Sequence, residues 1–273
     1  MPFITITGVD HTISPDILFS LAKAHSTKRF AASQIEWGVL YSSKNAGRGR
    51  YPDIKWIEKL AERLAQPGYP SDDQPSFALH ICSDVRGFLS GEGIVSDLAK
   101  VFPRVQINFR SDKYDPASIR ECFLRNSHQT LITQHNPVNE PLLQHLSGIP
   151  NHAILFDRSG GNGITPETWT PAIPHIPCGW AGGLGPLNLK KDLGLIHQAS
   201  GGRPYWVDME GRLRDDQDLL RWVRVKQCLG VAARFHHDLF RHPNLDPEEA
   251  LTDMDIDGSS NIDGAKYFYP VSF

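Results

Sequence analysis

"HAILFDRSGGNGITPE", residues 152–167, is the stretch on which the fold turns. Four apolar residues, Ala153 to Phe156, lead into one carboxylate, Asp157, and then into a glycine-rich turn. An apolar run too short for a helix and ended by glycines reads as a buried strand of a parallel sheet. The unit recurs along the chain. Runs rich in β-branched and aromatic residues stand at "FITITGV" (3–9), "IEWGVLY" (35–41), "FALHICS" (77–83), "VQINF" (105–109), "TLITQ" (130–134), "IPCGWAG" (176–182) and "YWVDM" (205–209). Between them lie stretches with helical spacing, among them "DIKWIEKLAERLA" (53–65), "PASIRECFLRN" (116–126) and "LNLKKDLGLIHQA" (187–199). Strands that alternate with helix-capable segments pair in parallel through crossovers. Eight such units in 273 residues suit a (β/α)8 barrel of the TIM type. A doubly wound open sheet is the competing architecture. The barrel is expected over residues 1–236, with a C-terminal extension over 237–273.

Composition narrows the function. The net charge is −3 and charged residues make up 22% of the chain, so nothing suggests an electrostatic grip on nucleic acid or an anionic membrane, and neither is expected as a partner. No apolar run approaches the ~20 residues of a spanning helix, and "MPFITITGVD" lacks the basic start and apolar core of an export signal. Cys82, Cys122, Cys178 and Cys228 are scattered without a CxxC pair. They read as free thiols in a reducing compartment, the cytoplasm.

Side chains alternate along a strand, so one parity faces the barrel axis. In "VQINF" the apolar parity is Val105, Ile107 and Phe109, which leaves Gln106 and Asn108 inside. The same rule directs Thr5, Thr7, His80, Cys82, either Thr133 or Gln134, Asp157 and Asp208 inward. Barrel interiors are usually filled with branched apolar side chains, so a polar set of this size needs internal partners or a ligand.

In order along the chain, "ITG" (6–8), "GVLY" (38–41) with "GRGRYP" (47–52), "VQINF", "ILFDRSGGNGITPETW" (154–169), "WAGGLGPLNL" (180–189) and "YWVDMEGRL" (205–213) resemble phosphoribosylanthranilate isomerase, a barrel enzyme of tryptophan synthesis. The resemblance implies an Amadori rearrangement, an aldose-to-ketose isomerisation of a phosphorylated ribosylamine. That chemistry needs one group to protonate the sugar and another to remove the C2 proton. By resemblance Asp157 is the general acid. The family's base is a cysteine at the end of the first strand, and here that position holds Thr7. A threonine hydroxyl is no substitute for a thiolate, so the base has moved or the reaction has changed. Asp10 and Cys82 are the candidates for a relocated base, with Asp84, His135 and Asp208 as further options. Arg50 matches an arginine that grips the anthranilate carboxylate in the family, as a guanidinium suits.

Gly182 and Gly183 end the seventh strand ahead of a helix, where backbone N–H groups and a helix dipole favour an anion. Barrel enzymes often hold phosphate between the loops after strands seven and eight. Gly211 and Arg212, or Arg214, extend that site, with Thr7 and Asp208 as further binding residues. Glu210 is an awkward neighbour for a phosphate. Gly160 and Gly161 lack the lysine and spacing of a Walker A loop and read as a lid or a backbone wall beside Asp157.

In the extension, Asp253, Asp255 and Asp257 match the start of a calcium loop, but its twelfth position is Gly264. An acidic surface segment is the better reading, and His236, His237 and His242 read as surface or packing residues. No cofactor and no metal is expected. The expected partner is a phosphorylated small molecule, with a second copy of the chain as the other candidate. The alternatives to an isomerase are a lyase or aldolase on a phosphate-binding barrel, and a barrel that binds a ligand or partner without catalysis.

Overall fold

The strand runs close on themselves. In the computed structural model, which describes residues 3–26, 35–69, 76–157 and 163–241, β1 (Phe3–Thr7), β2 (Ile35–Tyr41), β3 (Ser76–Ile81), β4 (Arg104–Ile107), β5 (Thr130–His135), β6 (His152–Asp157), β7 (Cys178–Ala181) and β8 (Tyr205–Met209) form a closed parallel barrel in sequence order. Strand β8 pairs back onto β1 with Thr5 opposite Asp208. The expected (β/α)8 architecture is thus the observed one. No helix among the described residues is long and apolar enough to cross a membrane, and all four cysteines are free thiols.

Helices α1 (Pro15–Ser26), α2 (Ile54–Leu64), α3 (Val85–Ser90), α4 (Gly93–Ala99), α5 (Pro116–Arg125), α6 (Leu142–His145), α7 (Leu189–Ser200) and α8 (Trp222–Arg241) connect the strands. Their starts follow from local chemistry. Asp53 accepts the N–H of Trp56 at 2.8 Å to cap α2, and Asp115 caps α5 ahead of a proline in its first turn. Helix α2 buries Trp56, Ile57, Leu60 and Leu64, one face of a 3.6-residue period. The outward strand residues pack with such faces into one continuous core, with Trp37, Phe77, Phe123 and Trp180 among its largest members.

The β6–β7 connection departs from the expected alternation. Residues 163–177 contain no helix. Pro166, Pro171, Pro174 and Pro177 remove backbone donors at intervals that no helix tolerates. Side-chain ties cover the barrel there instead. Trp180 Nε1 donates to the carbonyl of Thr170, and Arg203 donates to the carbonyls of Ala172 and Ile173. Helix α8 continues to Arg241. Asp253, Asp255 and Asp257, with the rest of 242–273, lie outside the described residues.

Inside the barrel the lower layer is partly charged. Arg104 pairs with Glu36 at 2.7 Å and lies over the rings of Phe3 and Trp206, and Thr5 donates to Glu36 at 2.9 Å. Ile132, Ala153, Leu155 and Trp206 complete this inner cluster. Thr133 turns the other way. It bonds His152 at 2.9 Å, whose ring meets Phe123 of α5 edge-on, so Gln134 is the inward residue of β5.

Gly179 of β7 is open because Trp206 fills its place: a Cβ there would overlap the indole atoms Cε2 and Cδ2. The indole stacks on Phe3 at 5.9 Å and has little room to shift. Gly179→Ala is therefore expected to cost about 1–3 kcal/mol by overpacking, read as a lower urea midpoint at unchanged m. An unchanged midpoint would show that the indole can move.

Candidate active site

A cavity of about 580 Å³ opens at the C-terminal ends of the strands, the end where barrel enzymes place their chemistry. Its wall is mostly polar: His80, Cys82, Gln106, Asn108, Gln134, Asn136, Asp157, Asp208 and Glu210 line it together with Arg50, Arg110 and Tyr51. Strand parity put most of these residues here. Gln106 donates to Asn108 at 2.9 Å, and Asn108 donates to the Cys82 sulfur at 3.3 Å.

Two carboxylates flank the short side chain of Ala181. Asp157 pairs with Ala181, and Ala181 pairs with Asp208. At ~4.8 Å per strand spacing their backbones stand roughly 10 Å apart at one level of the barrel, with Gly182 and Gly183 directly beyond Ala181. Asp208 is buried, and Thr7 Oγ1 donates to its Oδ1 at 2.6 Å. Burial raises the Asp208 pKa well above the usual value; the Thr7 hydrogen bond opposes this, and Glu210, Glu36 and Asp157 add to it. Burial likewise pushes the Cys82 thiol up to about 11 despite the Asn108 hydrogen bond, and drives His80 down to about 3, with Arg104 adding to the effect. His80 is thus a neutral imidazole, and Cys82 is a thiol rather than the thiolate a base would need.

Five charged residues of the strand-one, strand-two and strand-eight loops, Asp10, Arg50, Glu210, Arg214 and Asp218, bind one another. Asp10 is fully buried. Its Oδ2 accepts Arg214 Nη1 at 3.0 Å and the N–H of Leu220 at 2.9 Å, while its Oδ1 accepts the N–H and hydroxyl of Thr12. Arg214 also donates to the carbonyl of Gly8 and lies 3.7 Å from Asp218. Asp218 holds Arg50, and Arg50 holds Glu210 at 2.5 Å. Asp10 is therefore a structural anchor outside the cavity lining, which corrects the expectation that it reaches into the mouth, and Arg214 is committed in the same way. A buried acid beside a buried arginine is stable only as a pair, and that pairing is what removes both from the substrate side.

The strand-seven turn is tightly built. Gly183 adopts φ +55° under the carbonyl of Gly163, and a Cβ would stand 2.8 Å from Thr165 Oγ1. Asn188 bridges the turn, accepting the N–H of Gly185 and donating to the carbonyl of Gly183 and to Asp192. Arg212, expected at a phosphate, packs against Gly185 and donates to Thr165 at 3.1 Å, outside the cavity lining.

Of the residues singled out in the sequence, Asp157, Cys82, Arg50, Gly182, Gly183, Asp208 and Gly211 line one cavity. Thr7 stands one hydrogen bond behind it, and Asp10 and Arg212 belong to its supports. Gly160 and Gly161 lie outside the described residues. Glu210 was underrated: it has the same strand parity as Asp208, a signal that would have directed it inward. Asp218 carried no such signal, because it acts from a loop.

No family model matches the chain, and no curated protein matches it. Solved structures do. Phosphoribosyl anthranilate isomerase from Thermus thermophilus is 15% identical, with 85% of this chain and 99% of that chain covered, at a TM-score of 0.53. A monomeric form of the dimeric phosphoribosylanthranilate isomerase from Thermotoga maritima is 15% identical, covering 85% and 98%, at 0.52. TrpF from Jonesia denitrificans is 13% identical, covering 85% and 97%, at 0.53. The chain therefore shares the fold of these structures, a closed barrel of eight parallel strands like that of phosphoribosylanthranilate isomerase.

Proposed function

We propose that the protein isomerises a phosphorylated glycosylamine by general acid–base catalysis, with Asp157 as the acid and Asp208 as the base. The observation that carries this reading is the placement of two carboxylates on either side of Ala181 in one polar cavity. Thr7 occupies the position where the resemblance expects the base, and its hydroxyl bonds Asp208 at 2.6 Å. Asp208 thus stands beside the missing thiol and supplies the proton acceptor that threonine lacks. A carboxylate with a raised pKa is a stronger base than an ordinary one, provided part of it stays ionised, and the Thr7 hydrogen bond favours the ionised form.

The steps balance. Asp157 protonates the ring oxygen, the C1–O bond breaks, and the nitrogen lone pair forms the C1–N double bond. Asp208 then takes the C2 proton, and the C–H electrons form the C1–C2 double bond while the C1–N π pair returns to nitrogen. Return of a proton to C1 as the C2 hydroxyl becomes a carbonyl gives the aminoketose. Backbone groups of Gly182, Gly183 and Gly211, all lining the cavity, hold the phosphate. The amides of Gln106, Asn108 and Gln134 read the sugar hydroxyls. A Schiff-base aldolase has less support, because no lysine lines the cavity among the described residues.

The test is ketose formation from a panel of N-(5-phosphoribosyl)amines, generated from ribose 5-phosphate and the amine, followed across pH. With Asp208 as base, kcat/KM climbs with pH through the Asp208 ionisation. Because its pKa is raised, the climb is centred above the ordinary aspartate value of about 4. A limb that falls with pH through that ionisation would make Asp208 the acid. Inertness toward the whole panel would remove the isomerase reading and favour a non-catalytic barrel.

A further inference from the structure

Among the described residues the lining of the cavity contains two arginines, Arg50 and Arg110, and both are already paired. Arg110 holds Asp112 at 2.7 Å on the surface. Arg50 is held twice. Its Nε stands 3.0 Å from both oxygens of Asp218, its Nη2 donates to Asp218 Oδ1 at 2.7 Å, and its backbone N–H donates to Oδ2 at 3.2 Å. Asp218 therefore fills the Nε–Nη2 fork of the guanidinium, which leaves the Nη1 side as the one a ligand carboxylate could engage. Nη1 donates to Glu210 Oε1 at 2.5 Å. The Arg50 and Glu210 side chains are each 26% exposed, and both line the cavity.

Neither partner is there by accident of a loose side chain. Glu210 heads the 3-10 turn Gly211–Leu213, whose Leu213 N–H bonds the Glu210 carbonyl at 3.1 Å. Asp218 closes a turn in which its own N–H bonds the Asp215 carbonyl at 3.0 Å. The strand-two and strand-eight loops are thus clamped together with one cation between two anions.

We infer that Glu210 is a specificity-determining residue: by holding Arg50 in an internal ion pair it bars a carboxylate from the aglycone side of the cavity, so that the substrate carries an uncharged or cationic amine-derived group there. The inference rests on the glycosylamine reading for the identity of that substrate. A third carboxylate brought to this wall meets the charge of Glu210 and finds Nη1 of Arg50 already taken by it. An uncharged or cationic group meets neither obstacle, and the repulsion supplies discrimination against anions. The role that the resemblance implies for Arg50, gripping an anthranilate carboxylate, is thereby taken by the protein's own side chains.

The experiment compares binding by calorimetry of N-(5-phosphoribosyl)aniline, N-(5-phosphoribosyl)anthranilate and benzoate to wild type, Glu210→Gln and Glu210→Gln/Arg50→Gln. The wild type is expected to bind the anthranilate compound about tenfold more weakly than the aniline compound, a factor worth about 1.4 kcal/mol. Glu210→Gln should abolish or reverse that ratio and gain binding of benzoate, and the double variant should lose the gain. Melting temperatures of the variants report that each is folded. Equal wild-type affinities for the two phosphoribosyl compounds, or a benzoate response identical in wild type and Glu210→Gln, would overturn the inference. The benzoate arm needs no sugar. If neither phosphoribosyl compound binds any of the proteins, the glycosylamine reading fails, and benzoate still decides whether Glu210 guards Arg50.

Discussion

Asp10→Ala is expected to lose about 3–5 kcal/mol of stability, the usual cost of removing one partner from a buried ion pair. Asp10 and Arg214 expose 0% and 2% of their side chains. Removing the carboxylate leaves a guanidinium in a dry site and takes the acceptor from the N–H groups of Thr12 and Leu220. For a chain of this size the loss corresponds to a fall in Tm of roughly 6–20 °C. Asp10→Asn should fall less, because an amide oxygen can still accept from the backbone. Denaturant unfolding of the purified variants reads both. A variant as stable as wild type but catalytically dead would return Asp10 to the reacting side of the site and sink its assignment as an anchor.

Asp208→Asn is expected to lower kcat/KM by about a hundred- to ten-thousand-fold, the range for loss of a general base, with stability little changed. Asparagine fits the same space and keeps an oxygen for the Thr7 hydroxyl, so the loss is chemical rather than structural. Asp157→Asn should fall by a similar factor at the other end of the proton path. The rising pH limb belongs to Asp208 and should vanish in Asp208→Asn. It should move to lower pH in Glu210→Gln, since Glu210 is one of the charges that raise the Asp208 pKa. Retention of the rising limb in Asp208→Asn would assign it to another group and remove Asp208 from the chemistry.

Both predictions turn on residues whose type was visible and whose partners were not. Strand parity alone directed His80, Gln106, Asn108, Asp157 and Asp208 into the barrel, because alternation of side chains is a local property of extended backbone. Parity also limited the choice on β5 to Thr133 or Gln134, and only the packing of His152 against Phe123 decided for Gln134. Asp10 and Arg50 both stand in loops that follow a strand, and the sequence offered both to the substrate. One is sealed beneath the rim with Arg214, and the other lines the cavity between Asp218 and Glu210.

By itself, the order of short apolar runs and helical stretches determined a parallel α/β architecture, with a barrel favoured over an open sheet, and the end at which a ligand would enter, since periodicity and crossover connections are written along the chain. Closure itself is seen in the pairing of β8 with β1. Tertiary structure alone decided which charges were spent on one another. Asp10 and Arg214 are 204 residues apart in the chain, Arg50 and Glu210 160, and no local rule relates such positions. Closure of the barrel brings the first, second and eighth loops together, and the cost of leaving a charge unpaired away from water then selects the partners.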